Sequence, residues 1–227
     1  MIAPSELMLA AVVLVVGYSP DADPSWISVI LATQLPLYPK LRIRLSTGFA
    51  MDLVRAVLVG AISLALVTAP PEENQITAVS FAKTSLYAAL PESHRHACRE
   101  RLVLRDIKED DWILSAKQVN PIVYGAILEA AKREGIPPKD AHDIFTEEQA
   151  FHLVAEHAGV AILTKAGDPE CRVDGVIVRP ILDKCLCFNT CLVMRSDNDS
   201  KVTNVLARSF LRRFPRRVPA PTESDAR

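Results

Sequence analysis

AVVLVVGYSPDADPSW, residues 11–26, is the stretch whose reading decides the fold. Val12 to Val16 is an unbroken apolar run rich in β-branched side chains, the pattern of a strand buried on both faces. Gly17-Tyr18-Ser19-Pro20 ends the run. Asp23 then supplies a capping oxygen for a helix, and Pro24 suits the first helical position, where its missing N–H costs nothing. A buried strand running straight into a helix N-terminus leaves free backbone N–H groups at the strand's carboxyl end. In open α/β sheets ligands bind there, and free N–H groups favour anions. This stretch therefore predicts recognition of a small ligand.

Working outward, the same device repeats. The spacing of Ile27, Ile30, Leu31 and Leu35 predicts a first helix from about Pro24 to Gln34, stopped by Pro36 and Pro39. Leu41–Leu45 alternates strictly and reads as a strand with one wet face. Ser46-Thr47-Gly48 follows, then a helix over Met51–Val59 closed by Gly60, then a buried strand over Ile62–Val67. This β–α–β–α–β order with short joins implies a parallel sheet with right-handed crossovers.

Two short strands are expected next, Thr77–Phe81 and Leu86–Leu90, with Pro91-Glu92-Ser93-His94 as a break. A second β–α–β–α–β unit follows: strand Trp112–Leu114, a helix opened by Asn120-Pro121 and running to Arg133, strand Asp143–Phe145, a helix to His157, and strand Val160–Leu163. Thr146 and Gln149 form the capping box of the second helix of that unit. Strands over Val176–Val178 and Cys187–Met194 and an amphipathic helix over Val202–Phe214 complete the chain. The return strand Cys187–Met194 and the last helix can cross back to the first unit. The expected organisation is lobe I over 12–90 with 195–214 returning, lobe II over 91–194, and a disordered tail over 215–227. Two lobes joined by two crossovers make a cleft, a common ligand site.

The totals agree with this scale. A chain of 227 residues, 49% hydrophobic and 23% charged, is long enough for two modest domains with an ample core. A net charge of -1 leaves no overall electrostatic footprint for nucleic acid. Five cysteines are an odd count, and free thiols in a reducing cytosol are the simpler reading. Leu7–Val16 is apolar enough for the core of a signal peptide, which would make the protein periplasmic. It lacks the basic flank: Glu6 precedes it and no Lys or Arg occurs before Lys40. It is also too short to span a bilayer. A cytoplasmic protein is expected.

Several quoted runs then look familiar together. Val16-Gly17-Tyr18-Ser19-Pro20, Leu58-Val59-Gly60 before Leu64–Val67, Leu90-Pro91-Glu92-Ser93-His94 and Glu156–Leu163 resemble the effector-binding domain of LysR-type transcriptional regulators. The resemblance runs in order from about Val13 to Phe214. It implies a type 2 periplasmic-binding-protein fold, α/β, with two Rossmann-like lobes joined by two crossover segments. It also implies a homo-oligomer that senses a small effector. Ser63 departs from the acidic residue often found there in the family. No winged helix-turn-helix or linker helix can be placed before Val12, so specific DNA binding by this chain alone is not expected.

Four cap-like positions should face the cleft: Ser19, Thr47, Asn120 and Thr146. Each is also what an ordinary helix needs. The resemblance adds weight to Ser19, Thr47 and the Ala116–Asn120 loop, where the family places effector contacts. Thr68 at the end of the third strand is a similar candidate. Lys117 and Gln118 can pair with a carboxylate or be solvated. Phe145 can stack on a ligand or staple its own helix. The expected ligand is a small organic anion, with no cofactor and no metal.

Other chemistry is thin. There is no G-x-S-x-G elbow and no P-loop, and only eight glycines are available. Cys185-x-Cys187-x-x-x-Cys191 has metal-like spacing but suits a strand with Cys187 and Cys191 on one face. His94, His96, His152 and Glu156 read as solvated or capping residues. Arg212, Arg213, Arg216 and Arg217 complement the last helix's C-terminal dipole. A solute-binding protein of a transporter is the alternative function, and an enzyme is not expected.

Overall fold

The computed structural model describes residues 12–20, 22–33, 35, 38–137, 142–164 and 173–214. The expectations for 7–11, Cys171, Arg216, Arg217 and the 215–227 tail lie outside them. The first unit runs Val13–Tyr18 (β1), Pro24–Leu31 (α1), Arg42–Thr47 (β2), Ala50–Leu58 (α2) and Leu64–Thr68 (β3). Ile76–Ser85 (β4) and Tyr87–Pro91 (β5) follow. The second unit is Trp112–Ser115 (β6), Pro121–Arg133 (α3), His142–Ile144 (β7), Glu147–Ala155 (α4) and Val160–Leu163 (β8). Val176–Pro180 (β9), Cys187–Arg195 (β10) and Lys201–Leu211 (α5) close the chain.

The local signals hold where the cause is local. Asp23 caps α1 by accepting the Ser25 N–H at 2.8 Å, with Pro24 as its first residue. Asn120 caps α3 and Thr146 caps α4, the latter through the expected box with Gln149. Helix α1 ends at Leu31, shorter than the spacing predicted.

Two five-stranded sheets result, with orders β2-β1-β3-β10-β4 and β7-β6-β8-β5-β9. In each, three parallel strands alternate with helices, as the βαβ pattern requires, and two strands add on antiparallel. This is the two-lobe α/β architecture of the type 2 periplasmic-binding-protein fold. Sheet membership departs from the expected boundaries at both changeovers. The Leu86–Leu90 strand, assigned to lobe I, pairs as β5 with β8 and β9 in the second sheet. The Cys187–Met194 strand, inside the 91–194 span, pairs as β10 with β3 and β4 in the first. The chain therefore crosses between lobes at Ser85-Leu86-Tyr87 and again around Leu186-Cys187. Those two crossings lie side by side, Cys187 opposite Ser85. Propensity cannot reveal which sheet a strand will join, because that choice rests on distant partners.

Each sheet is covered on both faces. Lobe I packs α1 and α5 on one side around Ile30, Leu66, Leu192 and Phe210, and α2 on the other around Leu53, Val57 and Val67. Lobe II packs α3, through Ile127, against Trp112 and Leu114, and α4, through Phe151 and Val154, against Ile113. Gly17 lets β1 approach α2: a Cβ there would meet Leu53 Cδ2 at 2.7 Å. Ile27 and Ile30 of α1 lie in the lobe I core, while Leu31 is exposed.

Candidate functional site

The carboxyl ends of the parallel strands of the two lobes meet. In lobe I the ends are level, Tyr18 standing opposite Thr47 and Leu66. Ser19, one residue beyond β1, is buried and its carbonyl accepts the Ala22 N–H. Thr68 ends β3, also buried. Its hydroxyl lies 2.9 Å from that of Thr190 on β10, which lies 2.6 Å from that of Thr84 on β4. Ala69, the next residue, has φ 50, and its N–H donates to Asn189. A left-handed alanine costs on the order of 1–3 kcal/mol and persists only where surroundings impose it.

Lobe II presents Ser115 at the end of β6, the turn Ala116–Val119, and Asn120. Ala116 is buried, while Lys117 and Gln118 are exposed. Asn120 is 6% exposed and makes two bonds. Its Oδ1 accepts the Val123 N–H at 3.2 Å, and its Nδ2 donates to the carbonyl of Thr68 in the other lobe at 2.8 Å. Thr146 is exposed and caps α4. Phe145 is also exposed, and its ring stands 6.2 Å from that of Phe49 in lobe I, tilted by 31°.

Two of the four expected caps are not caps. Thr47 ends β2 and is exposed, while Phe49 precedes α2 and makes no side-chain cap bond. Ser19 lies four residues before the cap of α1, which is Asp23. The first N–H of α2, Ala50, donates instead to the carbonyl of Val119 across the cleft at 3.1 Å. Of the predicted residues, Asn120 and Thr68 bond each other across the lobes and Phe145 meets Phe49; Ser19 and Thr47 lie at the strand ends of lobe I, and Ala116, Lys117, Gln118 and Thr146 in the turns of lobe II.

Three further residues stand here: Phe49 against Phe145, Thr190 against Thr68, and Thr164 beside Asn120. Thr164 follows β8 as Thr68 ends β3, so the repeat in the sequence could have found it. Phe49 had no periodic signal, and Thr190 becomes visible only through the pairing of β10. The cavity that Ser115, Asn120, Tyr124 and Thr164 line holds about 10 Å³, roughly what one water needs.

The cysteine spacing resolves differently from its expected shared face. Cys187 is exposed and Cys191 buried, and the ladder to β4 shifts register between Thr190 and Cys191. Burial pushes the Cys191 thiol up. Among the described residues no group of three His, Cys, Asp or Glu side chains is placed to hold a metal. His94, expected to be solvated or capping, is nearly buried, with Nδ1 accepting the His96 N–H and Nε2 3.2 Å from Asp110 Oδ2. Among the described residues no helix is long and apolar enough to cross a membrane.

Two lobes with strand ends meeting over buried polar groups define a ligand-binding domain of the type 2 periplasmic-binding-protein class. More narrowly, the chain belongs to the LysR substrate binding domain family, whose model matches residues 10–215. That family is one of transcriptional regulators. Solved structures agree in fold. The BenM effector binding domain with its effector benzoate superposes with a TM-score of 0.76 at 16% identity, over 89% of this chain and 91% of that one. An OxyR mutant from Corynebacterium glutamicum gives 0.74 at 20% identity, over 91% of this chain and 66% of that one. Full-length CbnR complexed with its target DNA gives 0.74 at 19%, over 88% and 70%. This chain thus spans about two thirds of the OxyR chain it matches. A search of the curated proteins gives no match.

Proposed function

We propose that this chain is the effector-sensing domain of a LysR-type transcriptional regulator, binding a small organic anion in the interlobe cleft. The observation that supports this most is the convergence of Ser19, Thr68 and Asn120, all polar and buried, where the strand ends of both lobes meet. Burying polar groups at a domain junction costs stability unless they are hydrogen-bonded, and such convergence is characteristic of ligand sites. Ser19, Thr47 and Thr68 would contact the ligand from lobe I. The backbone at Ala116, the side chains of Lys117 and Gln118, and Asn120 and Thr146 would contact it from lobe II, with Phe145 covering it. The lysine supplies the charge complement, and α2, whose N-terminus no side chain caps, supplies N–H groups suited to an anion.

In this reading the domain works in the cytoplasm as a homo-oligomer. DNA is contacted through a winged helix-turn-helix, which the described residues do not form. The family match weighs against the transporter solute-binding alternative on the same fold. Thermal-shift screening with small carboxylates should find a stabilising acid. Calorimetry should then show Thr47→Ala and Lys117→Ala each weakening it ten- to a hundred-fold, the equivalent of about 1.5–3 kcal/mol for a charge-assisted hydrogen bond. A screen in which no carboxylate stabilises the protein, or variants that bind as tightly as the parent, would refute the site.

A further inference from the structure

Where the strand ends meet, two backbone–polar contacts already join the lobes. The Ala50 N–H of lobe I donates to the Val119 carbonyl of lobe II, and Asn120 Nδ2 of lobe II donates to the Thr68 carbonyl of lobe I. The Phe49 and Phe145 rings face each other beside these bonds. A ligand that sits between these groups breaks this two-bond latch and takes over its partners.

Counting those partners restricts the ligand. Opening releases two donors, Ala50 N–H and Asn120 Nδ2, because Asn120 Oδ1 remains on the α3 cap. It also releases two acceptors, the carbonyls of Thr68 and Val119. A simple carboxylate has acceptors only. It can serve both donors but offers no hydrogen to either carbonyl, and a buried carbonyl left without a donor is expensive. We infer that the effector carries hydrogen-bond donors beside its anionic group, as a hydroxy acid or an amino acid does, and that its binding replaces the Asn120–Thr68 and Ala50–Val119 latch. This rests on the ligand reading above and narrows its substrate class.

The test has two arms. The first uses ligand-free protein. Asn120→Asp keeps the α3 cap, since aspartate caps as well as asparagine, but turns a donor into a carboxylate facing the Thr68 carbonyl. Hydrogen exchange at the Ala50 amide should be slow in the parent and faster by about ten-fold or more in the variant. Circular dichroism confirms that the variant is folded, and Asn120→Ser, with a short capping hydroxyl, serves as the second variant. The other arm compares succinate, malate and aspartate by calorimetry on the parent. These share a four-carbon diacid skeleton and differ at one carbon in bearing hydrogen, hydroxyl or ammonium. At least one of malate and aspartate should bind about ten-fold tighter than succinate. An unprotected Ala50 amide in the parent overturns the latch. Succinate binding as tightly as its counterparts, as it would if waters serve the carbonyls, overturns the ligand class. Either result leaves the anion-sensing reading standing. If neither these three nor any other acid in the screen binds, the sensing reading fails and this inference falls with it.

Discussion

The helices that open onto the cleft are finished differently in the two lobes. In lobe II each supplies its own cap: Asn120 bonds the Val123 N–H of α3, and Thr146 with Gln149 closes the box of α4. In lobe I the equivalent hydroxyls lie elsewhere. Thr47 ends a strand, Thr68 is tied into a hydroxyl chain with Thr190 and Thr84, and α2 starts at Phe49 with no side-chain cap. Asp23 does cap α1, so in lobe I it is α2 alone whose first N–H is satisfied from outside the lobe, by the Val119 carbonyl of lobe II. That one helix end ties the two lobes together.

The largest expected effect lies away from the cleft. Trp112 is fully buried in lobe II and its indole N–H donates to Ile107 at 2.8 Å. Trp112→Ala should cost about 3–5 kcal/mol, read by denaturant unfolding. A second transition in that curve would reveal that the two halves unfold apart. Next comes the hydroxyl chain. Thr68→Val keeps the shape but strips one member of a buried polar set, and should cost about 1–3 kcal/mol. An unchanged midpoint would mean that the Thr190–Thr84 pair suffices, and the lobe I network would not be a unit.

The two smallest effects form a pair that tests the contrast directly. Thr146→Ala removes a working cap and should cost about 1 kcal/mol. Thr47→Ala, exposed and capping nothing, should stay within about 0.5 kcal/mol, while still weakening the anion. Thermal melts of the two variants side by side decide the matter. Equal losses would mean that Thr47 is structural after all, and the asymmetry between the lobes would disappear.

The sequence by itself determined what local chemistry determines. Val13–Val16 had to be a strand, Asp23-Pro24 and Asn120-Pro121 had to open helices, and Thr146 with Gln149 had to form a capping box, because each signal and its partner lie within a few residues; the expected burial on both faces holds for Leu14 and Val16 only, since Val12 and Val13 are exposed at the sheet's end. The repeated βαβ order then required three parallel strands in each sheet, and the quoted motifs carried the family resemblance. The strand ends at Ser19, Thr68 and Asn120 were legible as site candidates for the same reason. Only the tertiary structure decided where β5 and β10 belong, that the alternation of β10 changes phase after Thr190, and that Phe49 faces Phe145. It alone assigned Asn120 two tasks, one on its own helix and one on Thr68, 52 residues away. A hydrogen bond across that separation leaves no periodicity, since its geometry is set by how two independently packed lobes meet and not by the residues beside it in the chain.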